Sequence, residues 1–218
     1  MGTTKKVSYD LSDEVAIVTG GSSGIGKACV ERLCQNGCKV TFTGISEAGL
    51  TTKEEFEKEG FAVDFLQGDM GDEAFCKKIV EQTKNKWGKI NYLVNNAFPF
   101  ISRRMDATRD DWLKEMTRGP IAYTTMVQFT APHMMEQSGS SIVNISSISG
   151  HIAQPNRWTY NGAKGAVQML TKCMALDLSP KIRVNTVTPA WIWTRVVEKS
   201  ANYDKEKWGL TWGEVSYA

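Results

Sequence analysis

The sequence predicts an α/β fold in which one parallel sheet is doubly wound, with helices on both faces. Three observations carry this. β-rich apolar runs recur six times, helix-length stretches separate most neighbouring runs, and the runs are dense in Val, Ile and Phe with little alternation. Strand alternating with helix implies parallel pairing through crossovers, and strands without a polar face suit a sheet buried on both sides. The 218 residues, 41% hydrophobic and 23% charged, are expected to form a single domain spanning 1–218 with a sizeable core.

In chain order the strands are expected at 15–19, 39–43, 62–66, 92–94, 141–145 and 183–187, making six in all. Helical periodicity is clearest at 24–36, 72–87 and 163–178, where apolar residues return every three or four positions. Gly37, Gly88 and Pro180 punctuate the ends of these segments. No repeat or linker divides the chain, and the charge run at 77–89 reads as the solvated face of a helix.

Composition excludes several functions. Lys and Arg total 26 against 24 Asp and Glu, a net charge of +2, far from the basic excess of a nucleic-acid binder. No window approaches the roughly 18 apolar residues of a membrane span, and residues 1–12 lack a signal-peptide core, so a cytoplasmic location is expected. Cysteines at 29, 34, 38, 76 and 173 form no C-x-x-C pair and read as core thiols. His133 and His151 stand alone, so no metal is assigned.

Behind the first strand comes Thr19-Gly20-Gly21-Ser22-Ser23-Gly24-Ile25-Gly26, with a helix expected to begin near Lys27. Glycines there let backbone approach a pyrophosphate, whose charge meets free N–H groups at the helix N-terminus. The gaps between Gly20, Gly24 and Gly26 differ from those of the commoner dinucleotide fingerprint. Further on, Tyr160-Asn161-Gly162-Ala163-Lys164 opens a helix, and a separation of four puts Tyr160 and Lys164 on one face. An adjacent ammonium is expected to lower the phenol's ordinary pKa of about 10, letting Tyr160 exchange a proton. Ser147, at the end of the fifth strand, should reach the same crevice and hold a carbonyl or alcohol oxygen. Alone, a Y-x-x-x-K pair is a chance surface pair, but here it coincides with the glycine turn and a Ser at a strand end.

With these residues in place the chain resembles the short-chain dehydrogenase/reductase family, which has the Rossmann fold. The matching pieces are Thr19 to Gly26, Asp69, Asn95-Asn96-Ala97, Ser147, the Tyr160 and Lys164 pair, and Pro189 to Thr194, in the family's order from Asp13 onward. The resemblance implies hydride exchange between a nicotinamide cofactor and a secondary alcohol or ketone. It implies that Tyr160 is the general acid/base, that Lys164 binds the nicotinamide ribose and tunes Tyr160, and that Ser147 steadies the substrate oxygen. Gly20, Ser22, Ser23, Gly24, Ile25 and Gly26 would cradle the phosphates. Asp69 with Met70 would meet the adenine, Asn96 with Ala97 would lie beside its ribose, and Pro189, Ile192 and Thr194 would seat the carboxamide. Asp69 also reads as a helix cap and Asn95-Asn96 as a strand-end turn.

Two departures stand out. The family's Asn, which supports a water linking the catalytic Lys to solvent, falls at Gly119, and Gly119-Pro120 discourages continuous helix. The family also continues through another helix and a seventh strand, whereas the sequence stops at Ala218, so the sixth strand is expected to be a fairly apolar open edge. A smaller change is Ala190 where the family's turn has glycine.

The expected activity is that of an NAD(P)-dependent oxidoreductase; the alternative is a nucleotide-binding relative with impaired or no turnover. NADP(H) is expected to be preferred over NAD(H), because Gly44 stands at the strand end where an NAD enzyme carries a carboxylate and none follows before Glu47; Ile45 stands where many NADP enzymes have Arg, which leaves Ser22, Ser23, Ser46 and Lys27 as the donors. Trp191, Trp193, Trp208 and Trp212 crowd the flap, and with Phe98, Phe100, Ile148 and Trp158 they suggest an uncharged, fairly hydrophobic substrate. The expected partner is a small alcohol or ketone, with no nucleic acid or membrane, in a homo-oligomer.

Overall fold

The computed structural model describes residues 9–194 and Glu198. Each apolar run becomes a strand, within one residue of its expected position at either end: β1 (Val15–Val18), β2 (Lys39–Gly44), β3 (Val63–Gln67), β4 (Tyr92–Asn95), β5 (Ser141–Ile145) and β6 (Arg183–Val187). All pairings are parallel, in the order β3-β2-β1-β4-β5-β6. The order reverses between β1 and β4, which opens a crevice at the carboxyl ends of the strands.

Helices cover both faces. Val30 of α1 (Gly24–Cys34) and Phe56 of α2 (Ala48–Lys58) pack with Ala16, Val18, Val40 and Phe42 on one side. Ile79 of α3 (Glu73–Trp87) joins Ile17, Leu93 and Ile142 on the other, together with Met126 and Met134 of a later helix. Local chemistry fixes the ends. The Asp72 carboxylate accepts the Ala74 N–H to start α3, and Gly88 at φ +83° closes it. Thr108 and Asp111 form a reciprocal cap on α4 (Arg109–Met116).

Gly119-Pro120 bends the chain without ending the helix. A wider π-type turn, Thr117–Ile121, carries α4 into α5 (Ala122–Met134), and only Gly119, at φ −106° and ψ −105°, leaves helical geometry. The last helix, α6 (Trp158–Leu178), begins two residues before Tyr160, which was expected to open it, so Tyr160 lies in its first turn. Among the described residues β6 is an edge strand, and its exposed positions are Arg183, Asn185 and Val187, a more polar edge than expected. Three of the cysteines expected as core thiols, Cys34, Cys38 and Cys76, are buried; Cys29 is half-buried, and Cys173 is exposed on α6.

Candidate active site

The carboxyl ends of the strands open onto one cavity of about 800 Å³, within the range of small-molecule and cofactor sites. Gly20, Ser22, Ser23, Gly24 and Ile25 line its end beside the N-terminus of α1. α1 begins there with no side-chain cap and no acidic residue in its first turn, leaving its N-terminal N–H groups for an anion. Gly26 does not line the cavity. A Cβ on it would lie 2.2 Å from the Gly20 carbonyl oxygen, so its bareness lets the helix close on the loop.

Asn96 and Ala97 line the cavity, and they also hold the loop in shape. The Asn96 amide donates to the carbonyls of Thr19 (3.0 Å) and Gly20 (3.1 Å), while the N–H groups of Asn96 and Ala97 donate to the Thr19 hydroxyl. Asp69 and Met70 line the cavity as well. The Asp69 carboxylate, however, is gripped by Arg118, whose Nε and Nη2 donate to Oδ2 at 2.8 and 2.6 Å. That hydrogen-bonded fork, with the Gly71 N–H on Oδ1, holds the carboxyl below its ordinary range.

At the other end, Ser147, Tyr160 and Lys164 meet. Ser147 Oγ accepts the Ser149 N–H at 3.1 Å and hydrogen-bonds with the Tyr160 phenol. Tyr160 packs edge-on against Phe98 and Phe100, with ring centroids 5.9 and 4.9 Å away. Lys164 donates to the Ile145 carbonyl at 2.9 Å, an oxygen that also accepts the buried Tyr123 hydroxyl, and its Nζ lies 3.4 Å from the Phe98 ring centroid.

The expected lowering of the Tyr160 pKa is not what this geometry gives. Burial pushes the phenol up, opposed by the Ser147 hydrogen bond and then by the charge of Arg157. The reason lies with Lys164. Its Nζ is committed to a carbonyl and an aromatic face, 5.8 Å from the Tyr160 ring centroid, and burial pushes its own pKa down to about 7, so its ammonium form is disfavoured.

Pro189, Ile192 and Thr194 line the cavity beside the glycine loop, and a Cβ at Gly24 would touch the Thr194 methyl at 3.3 Å. Trp191 lines the cavity too; Trp158 and Trp193 are exposed and do not, while Trp208 and Trp212 lie outside the described residues. Lys27, expected as a cofactor donor, is paired with Glu55 at 2.5 Å and does not line the cavity.

These features meet what a dinucleotide needs: a glycine cradle with uncapped N–H groups, then a cavity running from Asp69 to Tyr160. Comparison with known proteins decides the family. A model of the short chain dehydrogenase family matches residues 14–205. The chain belongs to the short chain dehydrogenase family. The NADP-dependent (R)-specific alcohol dehydrogenase of Lentilactobacillus kefiri is 35% identical over 86% of this chain and 77% of its own length. The L-fucose dehydrogenase of Rattus norvegicus is 33% identical over 87% and 70%. Among solved structures, ligand-free Thermoplasma acidophilum aldohexose dehydrogenase superposes with a TM-score of 0.82 at 33% identity, covering 91% of this chain and 74% of that one. A 7α-hydroxysteroid dehydrogenase in complex with NADH and a 7-oxo bile acid gives 0.83 at 28%, covering 88% and 75%. As a short chain dehydrogenase, the protein is an NAD(P)-dependent oxidoreductase acting on CH–OH or C=O groups.

Sequence reasoning missed three residues of this short chain dehydrogenase's cavity region. Arg118 and Arg157 line it, and Glu115 of α4 is wholly buried beside it, with Oε2 accepting the Ile101 N–H at 3.0 Å and Oε1 unpartnered. Burial pushes the Glu115 carboxyl up to about 7, partly offset by that N–H and by the charge of Lys164. The available signal for Glu115 was a carboxylate one helical turn before Gly119.

Proposed function

We propose that this protein transfers a hydride between NAD(P)(H) and a secondary alcohol or ketone, with Tyr160 as the general acid/base. The observation that supports this best is the convergence of Ser147 and Tyr160 at one end of a cavity whose other end is a glycine-lined, uncapped helix N-terminus. A dinucleotide bound there would supply the two-electron chemistry, accepting hydride from a carbinol carbon or returning it to a carbonyl carbon. Tyr160, a phenol held in its neutral form by burial, would give its proton to the oxygen of a ketone as it is reduced and regain one in the reverse direction, Ser147 would orient that oxygen, and Lys164 would hold the ribose side. Gly20, Ser22, Ser23, Gly24 and Ile25 hold the phosphates, Asp69, Met70, Asn96 and Ala97 the adenosine, and Pro189, Ile192 and Thr194 the carboxamide. Nothing in the comparisons favours a relative without turnover.

NADP(H) is the preferred cofactor in this reading, supported by the lack of any lining carboxylate other than Asp69 among the described residues. Among the described residues no helix is long and apolar enough to cross a membrane; the cytoplasm remains the expected compartment, in keeping with free thiols. Homo-oligomerisation is supported by the exposed Met169 and Leu176 on one side of α6 and is checked by light scattering. The experiment on mechanism is Tyr160→Phe. Turnover should fall by about 10²- to 10⁴-fold while cofactor affinity holds; a variant within tenfold of the parent overturns the assignment.

A further inference from the structure

Among the described residues the cavity is lined by three basic side chains, and two of them are occupied. Lys164 donates to a carbonyl beneath an aromatic ring, and Arg118 is forked onto Asp69. The third, Arg157, immediately precedes α6 and stands three residues before Tyr160. Its guanidinium carbon lies 5.6 Å from the Phe100 ring centroid and 5.1 Å from that of Trp191. Among the described residues no carboxylate pairs with it.

The aromatic residues that suggested an apolar substrate therefore flank a cation. Two rings fix a guanidinium and remove water from it without neutralising it, which strengthens its attraction for an anion arriving in the cavity. Burial correspondingly lowers the pKa of Arg157. Gln154 lines the same end, its carbonyl engaged by the Ser149 hydroxyl, so its amide N–H groups face no acceptor among the described residues.

We infer that Arg157 is the specificity residue for a substrate carrying a carboxylate, a hydroxy acid or its keto acid, whose anion sits on the guanidinium while its carbinol oxygen reaches Ser147 and Tyr160. A single free positive charge matches a carboxylate monoanion and would leave a phosphate dianion under-neutralised. A planar fork also suits a carboxylate. The inference rests on the oxidoreductase reading and narrows it to a substrate class.

The test uses linear hydroxy acids with two to five bonds between carboxylate and carbinol carbon, each beside its methyl ester and the corresponding phosphate monoester. The parent should show a KM for the best acid at least about twentyfold below that of its ester. Arg157→Met should raise the KM of the acid to that of the ester while the KM of the ester and the cofactor Kd stay within threefold, any fall in kcat from the lost charge beside Tyr160 being shared by acid and ester, with Arg157→Lys in between. Equal KM values for acid and ester in the parent, an equal loss on both in Arg157→Met, or preference for the phosphate overturns the inference. Because Trp191 stacks on Arg157, binding of the hydroxy acids is also read by tryptophan quenching in the cofactor-loaded protein, with Trp191→Phe as control. Quenching by the acids alone, abolished in Arg157→Met, supports the carboxylate site even if no hydride transfer occurs, and so separates its failure from failure of the oxidoreductase reading.

Discussion

Phe98 lies over Lys164, its ring centroid 3.4 Å from Nζ, and the far edge of the same ring fills the space beside Gly119. A Cβ built at Gly119 would sit 2.7 Å from Phe98 Cε2 and Cζ. The position where the family carries Asn is thus packed by an aromatic edge, and the ring cannot easily yield, being held between Lys164, Tyr123 and Tyr160.

Gly119→Asn should therefore damage the protein, not repair its proton path. Overpacking of this kind typically costs about 1–3 kcal/mol, and displacing Phe98 uncovers Lys164, so both stability and turnover should fall. Adding Phe98→Ala should return part of the stability lost in Gly119→Asn, because the two substitutions share one clash. Denaturant titration of the two single variants and the double variant measures that coupling; a Gly119→Asn protein as stable and active as the parent contradicts it.

A second prediction follows from Glu115 and Lys164, whose pKa values burial moves toward each other. The Glu115 carboxyl rises from 4.5 to about 7 and Lys164 falls from 10.5 to about 7. Between pH 4.5 and 7 the folded chain holds a proton that the unfolded chain has lost, so stability falls as pH rises. Between 7 and 10.5 the unfolded chain holds the Lys164 proton that the folded chain has released, so stability climbs again. These two groups together give a minimum near neutral pH, each steep limb on the order of 1 kcal/mol per pH unit. Glu115→Gln should remove the falling limb. Urea titrations at pH 5, 6 and 7 decide it: the gap between variant and parent must grow in the variant's favour with pH.

The sheet was legible because buried parallel strands write themselves as runs of Val, Ile and Phe. α2 was not, since its buried residues are Gly49, Thr52 and Phe56, only one of them large and apolar, while its Leu50 is exposed. The site divides the same way. Ser147, Tyr160 and the glycine loop carry short spacing signals, whereas the Asp69–Arg118 fork joins residues 49 apart and the cover on Lys164 comes from beyond the end of β4. Arg157 sits in plain view before Tyr160, but only the folded positions of Phe100 and Trp191 show that it faces the cavity.

The fork makes a third prediction. Both side chains are about a third exposed, so solvent screening keeps their contribution to stability to about 1 kcal/mol or less. Its main effect is to fix the Asp69 carboxylate at the cavity wall. In Arg118→Met, Asp69 loses that orientation, and cofactor Kd should rise about three- to tenfold, equivalent to roughly 0.7–1.4 kcal/mol, while kcat holds. A fluorescence titration showing tighter cofactor binding in the variant would mean that Arg118 competes for Asp69 instead of presenting it.

Cofactor choice turns on the end of β2. Ile45 is 71% exposed and lines the cavity beside Gly44 and Ser22, and a Cβ on Gly44 would have to displace the Ser22 hydroxyl, 2.6 Å away, so selectivity falls first to 45. An aliphatic side chain there neither accepts from a ribose 2′-hydroxyl nor repels a 2′-phosphate. The parent should bind NADP(H) more tightly than NAD(H). Ile45→Asp should reverse this by weakening NADP(H) at least about tenfold, since a carboxylate set against a phosphate is repelled and a hydroxyl is not. Ile45→Arg should move it the other way by pairing with the phosphate. Titrating all three proteins with both reduced cofactors tests the placement independently of any substrate. NAD(H) bound more tightly by the parent, or an Asp variant with unchanged preference, would place the 2′-position away from residue 45.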